Sequence, residues 1–316
     1  MKRREFISTS VAAPLAAVGA SILTSGRAHA AELPRRKYGK EGFELSVIGF
    51  GGIIVSGETQ EDANRMVAEA VERGVNYFDV APTYGNAQER LGPALEPFRK
   101  DCFLACKTEK RDAASAQAAL EESLKLLRTD HVDLYQLHGL TSVEEVETCF
   151  AAGGAMEVFT AARDKGQARH LGFSAHNVEA ALRAMDLFDF DSVLFPLNCV
   201  CMMNGQFGQD VLDKAKEKGV SLLALKALAW TPWPEGAERT YPKCWYEPVA
   251  DKEKARLALR YTLGLPVVAA VPPGHWELFN LAVDVATAYE PLEEGERDEL
   301  KTLIAGVTPI FGHEAV

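Results

Sequence analysis

The chain has 316 residues, of which 47% are apolar and 25% are charged, as in an ordinary folded protein. Its formal net charge is −11; residues 1–30 carry four basic side chains and one acidic side chain, so removing their +3 leaves −14 on residues 31–316. A strongly acidic body repels nucleic acids and anionic lipid surfaces, which excludes both as expected partners. The length fits one large domain, because α/β barrels commonly reach about 250 residues.

Residues 1–30 have the pattern of a secretory signal peptide, and we exclude them from the fold. Basic Lys2–Arg4 precedes a weakly apolar run, Val11–Leu23, and Ala28–Ala30 forms a small-x-small cleavage motif. The run is too short and too rich in Ala and Gly to cross about 30 Å of hydrocarbon, so we expect no stable membrane insertion. The alternative is an amphipathic or disordered leader that is never exported.

The segment Arg3–Ile7 (RREFI) resembles the twin-arginine export signal. That resemblance implies an export machinery that carries folded proteins, and a periplasmic or otherwise exported location. Such a route suits a protein that must acquire a cofactor before it leaves the cytoplasm.

After the leader, short β-rich runs alternate with helical patterns. The runs are rich in Val, Ile, Leu and Phe, as expected for buried parallel strands. The predicted strands are Ser46–Phe50, Val75–Asp79, Cys102–Lys107, Val132–His138, His170–Phe173, Ser192–Phe195, Ser221–Leu225 and Val267–Val271. Helices are predicted at Glu61–Arg73, Asp112–Arg128, Ala161–Lys165 and Asp210–Lys218; the first, third and fourth end at a glycine.

Eight alternating units predict a closed (β/α)8 TIM barrel over residues 31–316, of class α/β. Turn signals at Gly39 and Gly42 predict a β-hairpin cap at Tyr38–Leu45, on the floor of the barrel. The alternative, an open dinucleotide-binding sheet, requires a G-x-G-x-x-G turn after a strand, and the segment Gly49–Gly52 does not match it.

Six cysteines occur, and we interpret them as packing residues. Cys199 and Cys201 are separated by one residue, a poor spacing for tetrahedral zinc, although a redox or metal pair is the alternative. We predict no metal site. An exported location would permit disulfides, but a chain of this size does not need them.

The chemistry of a barrel gathers at the carboxyl ends of its strands. The second strand ends at Asp79, with Tyr84 in the loop that follows it; the third ends at Lys107 and the fourth at His138. An unpaired buried charge is costly, so ionisable groups at three successive strand ends point to a shared site. Taken singly, an Asp79–Lys107 ion pair, a core His138 and a loop-packing Tyr84 are the structural alternatives.

Five segments resemble aldo-keto reductase motifs, in the order of that family: YGKEGFELSVIGFGG (38–52), FDVAPTYG (78–85), ACKT (105–108), DLYQLHG (133–139) and GQARHLGFSAHN (166–177). The likeness covers about residues 37–290. It implies an oxidoreductase that moves hydride between NADP(H) or NAD(H) and a small carbonyl or alcohol substrate; a sugar derivative is one candidate.

The family's catalytic tetrad maps onto Asp79, Tyr84, Lys107 and His138. Hydride arriving at a carbonyl leaves an alkoxide, and Tyr84 is the expected proton donor. We expect the Lys107 ammonium to lower the pKa of Tyr84 from about 10. Asp79 would hold Lys107, and His138 would orient the substrate oxygen.

By the same resemblance, Gly51 and Gly52 approach the nicotinamide ribose, Ser174 holds the carboxamide, and Asn198 lies nearby. We expect Lys226 to reach the nucleotide phosphates or the substrate. A helix from Gly274 would direct its amides at the pyrophosphate.

This chain also departs from the family pattern. Leu194 and Ala175 stand where many relatives have Gln and Asn. No Lys or Arg occurs between Arg260 and Arg297, where the family usually clamps the 2′-phosphate, so we expect no strict preference for NADP and keep NAD open.

The segment Ala227–Ala250 is long for a barrel loop and holds Trp230, Trp233, Tyr241, Trp245 and Tyr246. It is either a lid with stacking faces or a flap packed on the rim. Two further functions stay open: a slow or inactive cofactor-binding regulatory barrel, which the intact tetrad disfavours, and unrelated barrel chemistry, which would need metal ligands or paired carboxylates at strand ends.

Overall fold

The computed structural model describes residues 32–40 and 42–312. These residues form twelve strands: β1 (Arg35–Tyr38), β2 (Phe43–Ser46), β3 (Phe50–Gly51), β4 (Tyr77–Asp79), β5 (Phe103–Thr108), β6 (Val132–Leu140), β7 (Ala168–Ala175), β8 (Ser192–Pro196), β9 (Ser221–Leu225), β10 (Ala229–Pro232), β11 (Tyr246–Pro248) and β12 (Ala269–Val271). The leader predicted at residues 1–30 lies outside the described residues.

The same residues form eleven α-helices: α1 (Gln60–Glu72), α2 (Ala87–Leu95), α3 (Ala113–Leu126), α4 (Val143–Phe150), α5 (Ala155–Asp164), α6 (Val178–Leu187), α7 (Cys199–Met203), α8 (Gln209–Lys218), α9 (Lys252–Gly264), α10 (Trp276–Thr287) and α11 (Glu294–Ile304). Polar N-cap side chains fix where several of them begin. Each accepts a hydrogen bond from the backbone N–H three residues further on, as at Thr59, Asp112, Ser142, Asn177 and Asp251.

Eight strands form one parallel sheet, in the order β3-β4-β5-β6-β7-β8-β9-β12. A parallel bridge between Ile48 and Ala270 joins its two edges, with the Gly49 N–H donating to the Ala270 carbonyl at 2.9 Å. The predicted α/β barrel with its N-terminal hairpin is therefore confirmed. None of the helices in the described part of the chain is both long and apolar enough to cross a membrane.

The antiparallel pair β1–β2 closes the amino-terminal end of the barrel. The Tyr38 ring is buried, 4.9 Å from the Phe103 ring between centroids, and its hydroxyl lies 3.0 Å from Ser192 Oγ. The Gly39 N–H donates to Ser221 Oγ at 2.9 Å. Because Ser192 and Ser221 begin β8 and β9, the hairpin seals the floor and leaves the opposite end for a site.

Several predicted boundaries were wrong. The hairpin begins at Arg35 rather than Tyr38, and Ser46 ends its second strand rather than opening the first barrel strand, because Ser46 pairs with Arg35. The helix after β12 begins at Trp276, not Gly274, with His275 as its N-cap. The predicted helix Ala161–Lys165 is only the end of α5.

Candidate active site

A cavity of about 320 Å³ opens at the carboxyl ends of the barrel strands, within the usual size range of small-molecule sites. Eight of the ten predicted site residues line it: Gly51, Asp79, Tyr84, Lys107, His138, Ser174, Lys226 and Gly274. Gly52 and Asn198 do not line it. The functional role of each of these residues stays a prediction.

Strand register places the first two ionisable groups together. Asp79 lies opposite Ala105, and Lys107 follows two residues later on the same face of β5. The Lys107 ammonium pairs with the Asp79 carboxylate, and their side chains are only 1% and 3% exposed. The Tyr77 hydroxyl also donates to Asp79 Oδ2 at 3.2 Å. A buried charge is tolerable here because its partner is buried with it.

Tyr84 reaches the same place from the loop after β4. The next residue, Gly85, has φ 58°, and a Cβ there would lie 2.7 Å from Ser56 Oγ, so both the backbone conformation and the space call for glycine. This turn sets the Tyr84 ring 5.4 Å, at its centroid, from Lys107 Nζ. The ring meets the imidazole of His138 edge-on, with centroids 5.8 Å apart. We call Asp79, Tyr84, Lys107 and His138 the tetrad wall.

Burial dominates the protonation of the phenol. It raises the pKa of Tyr84, and the nearby Lys107 ammonium only partly opposes it. Lys107 therefore acts on this pKa in the expected direction, but burial has the larger effect, so the expected net lowering does not occur. Burial also acts to lower the pKa of Lys107, but the Asp79 carboxylate outweighs it and the pKa is raised. The wall thus holds a protonated phenol beside a charged ammonium.

His138 is a neutral imidazole, since burial, helped by the charge of Lys107, lowers its pKa to about 2. Its Nδ1 is buried 3.6 Å from Glu109 Oε1 and has no hydrogen-bond partner within the described residues. Arg111 donates to the His138 carbonyl at 2.8 Å and fixes the end of β6. A neutral ring at this position can orient a substrate oxygen without adding charge.

The opposite side of the cavity is built around Lys226, at the end of β9. Its Nζ lies 3.1 Å from His176 Nε2, 5.8 Å from the Trp245 ring centroid and 5.7 Å from the Phe311 ring centroid. We call Lys226, His176, Trp245 and Phe311 the lysine wall. Sequence reasoning did not assign a site role to His176 or Phe311; strand alternation from Ser174 could have found His176, whereas Phe311 carries no local signal.

Among the predicted cofactor contacts, Ser174 and Gly51 lie at the cavity, whereas Gly52 and Asn198 do not line it. Ser174 is buried at the cavity, and its Oγ accepts a hydrogen bond from the Gly139 N–H at 2.8 Å, which leaves the hydroxyl proton to donate. Gly51 faces the cavity, but a Cβ on Gly52 would lie 2.7 Å from Val80 Cγ2, so Gly52 is required by packing. The Asn198 amide is used within the protein, accepting from the Cys201 N–H and donating to the Lys226 carbonyl.

The segment Ala227–Ala250 combines both predicted roles. Its strands β10 and β11 pair, and Trp233 Nε1 donates to the Cys244 carbonyl at 3.0 Å. Trp230 packs against the core, whereas Trp245 lines the cavity and is 48% exposed. Lys243, which the sequence did not single out, also lines the cavity and pairs with Glu58 at 2.8 Å. The segment Ala227–Ala250, which we call the flap, therefore packs against the core at Trp230 and lines the cavity at Trp245.

The six cysteines are buried free thiols. Residues 32–40 and 42–312 contain no group of three or more side chains arranged to hold a metal ion. The groups at the cavity that can exchange a proton or carry charge include the Tyr84 phenol, the ammonium groups of Lys107, Lys226 and Lys243, and the imidazoles of His138 and His176.

Comparison with known proteins matches residues 47–294 to the model of the aldo/keto reductase family. An uncharacterized oxidoreductase, YqkF of Bacillus subtilis, is 26% identical, over 80% of this chain and 90% of its own. L-galactose dehydrogenase of Arabidopsis thaliana is 24% identical, over 81% and 88%. An aldo-keto reductase of Bacillus halodurans, solved in its holo form, superposes with a TM-score of 0.69 at 24% identity, over 90% of this chain and 99% of that one, and so shares the fold.

Proposed function

This chain belongs to the aldo/keto reductase family, whose members move hydride between a nicotinamide cofactor and a carbonyl or alcohol, and we propose that Tyr84 exchanges the accompanying proton with the substrate. One observation supports this role above the others. The Tyr84 phenol shares a buried wall with the charged Lys107 and the neutral His138, at the open end of the barrel.

In the reductive direction the substrate oxygen gains negative charge and needs a proton. The raised pKa of Tyr84 keeps the phenol protonated near neutral pH, which is the form that donates. Once the proton has left, the Lys107 ammonium stabilises the phenolate, and Asp79 keeps that ammonium in place. His138 holds the substrate oxygen next to the phenol through its neutral ring.

Several residues at the cavity suit parts of a nicotinamide dinucleotide, which when bound supplies or accepts the hydride. Ser174 keeps a free hydroxyl proton that suits a carboxamide oxygen. Gly51 leaves the end of β3 without a side chain, where a Cβ would lie 3.3 Å from Val271 Cγ1. Pro272–Gly274 line the cavity and lead into α10, whose first N–H groups have no partner within the helix and suit a pyrophosphate.

We infer that the protein uses NAD(H) as well as NADP(H). No Lys or Arg occurs in residues 261–296, which include β12 and α10. A 2′-phosphate in that region would lack the charge pairing that favours it. We further infer that the substrate is a sugar derivative: a curated relative is named as an L-galactose dehydrogenase, and the exposed ring of Trp245 offers a stacking face at the cavity.

Turnover with NADH or NADPH and a panel of aldoses and ketoses tests the proposal. Tyr84→Phe should lower kcat by about 10²–10⁴-fold, because it removes the proton donor, while the dissociation constant of the cofactor stays within about twofold. Tyr241→Phe is the matched control, since Tyr241 does not line the active-site cavity. Absence of cofactor binding, or a Tyr84→Phe enzyme as active as the parent, contradicts the proposal.

We also propose that the protein is exported through a twin-arginine route. The support is the segment Arg3–Ile7, with the apolar run and cleavage motif that follow it. Replacing Arg3 and Arg4 by Lys should keep the full-length protein in the cytoplasm, as followed by fractionation and immunoblotting. Equal export of the two forms contradicts this route.

A further inference from the structure

Lys226 occupies an unusual position for a lysine. Its backbone has φ 59°, a left-handed conformation that costs a non-glycine residue free energy, and such positions cluster at functional sites. The Lys226 carbonyl accepts hydrogen bonds from Asn198 Nδ2 at 3.2 Å and from the Ala229 N–H at 2.9 Å, and both hold this conformation. Asn198 is therefore a positioning residue for Lys226.

The ammonium of Lys226 differs from the other two lysine ammonium groups at the cavity. Lys107 pairs with Asp79, and Lys243 pairs with Glu58. Within the described residues, no carboxylate lies within 4.0 Å of Lys226 Nζ. A partly buried ammonium without a counter-ion is unfavourable and favours an anionic ligand.

The neighbours of Lys226 leave its charge available. His176 accepts one of its protons at Nε2, and burial lowers the pKa of His176 to about 3, so the imidazole is neutral. Trp245 and Phe311 offer ring faces and no counter-charge. Since an ammonium has three donors, two remain for a ligand in the cavity.

The position of Lys226 favours the substrate over the phosphates of the dinucleotide. Lys226 Nζ contacts His176, which directly follows β7. The helix N-terminus that suits a pyrophosphate instead follows β12. Lys243 lies beside that helix: its backbone N–H donates to Nε2 of the N-cap residue His275 at 3.1 Å. Lys226 and His138 line the same cavity, so Lys226 can reach a substrate whose oxygen is held at His138.

We propose that Lys226 binds a carboxylate of the substrate, so that this reductase acts on acidic carbonyl or hydroxy compounds such as sugar acids and 2-oxo acids. The proposal rests on the hydride-transfer function proposed above and specifies its substrate class. Trp245, which lines the cavity beside Lys226, then contacts the carbon skeleton next to the carboxylate.

The experiment compares acids with matched neutral compounds: D-glucuronate with D-glucose, and pyruvate with hydroxyacetone. Binding is followed by tryptophan fluorescence at pH 6.5, with cofactor present, in the parent protein, Lys226→Met and Lys226→Arg. At least one acid should bind the parent tenfold or more tightly than its neutral partner. That ratio should fall to within about twofold in Lys226→Met and recover in Lys226→Arg.

A second readout is the pH dependence of the same ratio. The ionisable groups facing Lys226 are Lys107 from β5, His138 from β6, His176 after β7, Cys201 from α7 and Cys244 from the flap. Lys107 stays charged, and the imidazoles and thiols stay neutral. Burial lowers the pKa of Lys226 to about 7, so the preference for the acid should decline as pH rises through 7 in the parent but not in Lys226→Arg.

The outcomes separate this proposal from the proposed function. If acids bind in a Lys226-dependent way but no turnover occurs, the carboxylate site is supported and the hydride-transfer role is contradicted. Turnover with no preference for either acid overturns the carboxylate site alone. A Lys226→Met variant that loses cofactor affinity and keeps its acid-to-neutral ratio assigns Lys226 to the dinucleotide phosphates and also overturns the proposal.

Discussion

On the tetrad wall, Lys107 is buried against Asp79, whereas on the lysine wall Lys226 faces an imidazole and two aromatic rings. The pKa of Lys107 is raised and that of Lys226 is lowered, although burial disfavours the charge of both. The difference shows how a counter-ion decides what a buried ammonium does. A paired ammonium is a fixed charge that stabilises a neighbour, and an unpaired one favours an anionic partner.

The largest expected effect on stability comes from removing the partner of Asp79. Lys107→Met leaves a buried carboxylate without its partner and should lower the free energy of unfolding by about 3–5 kcal/mol, measured by urea denaturation. Lys226→Met removes an ammonium with no carboxylate partner and should lower it by less than about 1 kcal/mol, or raise it. The double variant Asp79→Asn/Lys107→Met should recover part of the loss. Equal losses in the two single variants would contradict the contrast between the walls.

A smaller effect separates the two adjacent glycines after the first barrel strand. Gly52→Ala places a methyl 2.7 Å from Val80 Cγ2 and 3.2 Å from the Asp79 carbonyl, so it should cost about 1–3 kcal/mol of unfolding free energy. Gly51→Ala meets only Val271 Cγ1, at 3.3 Å, and should cost less than about 1 kcal/mol. Urea denaturation of the two variants measures the two losses of unfolding free energy. A Gly52→Ala variant more stable than the parent protein would contradict the packing role of Gly52.

The smallest effect concerns the adenosine end of the dinucleotide. Without Lys or Arg in residues 261–296, the dissociation constants of NADH and NADPH should differ by less than about tenfold at moderate salt. Fluorescence titration of both cofactors measures the ratio. A preference for NADPH of a hundredfold or more would show that a cation from another segment reaches the 2′-phosphate.

Three of the four residues of the tetrad wall could be predicted because strand patterning places them. Asp79, Lys107 and His138 end three successive apolar runs, and parallel strands bring such ends to one rim. The lysine wall could be predicted only at Lys226, since Trp245 and Phe311 reach it from a flap and from a segment 85 residues after Lys226. Contacts of that kind depend on tertiary packing that no local periodicity records.

Three residues show where local chemistry matters more than the sequence pattern. Gly52 has the sequence context of a cofactor contact, but the close approach it permits is to Val80. Ser46 looks like the start of a barrel strand, yet it pairs with Arg35, and its hydroxyl donates to the Ile48 carbonyl. The pKa of Tyr84 depended on how deeply the phenol is enclosed, which a sequence does not give.

The state of the thiols bears on where this protein can fold. Burial raises the pKa of Cys102 and Cys199 to about 12 and that of Cys149 and Cys244 to about 11, so these sulfurs are poor nucleophiles. No cross-link between cysteines contributes to the described structure, all six being free. The described structure therefore forms without an oxidised cysteine pair, as the export of an already folded protein proposed above would require.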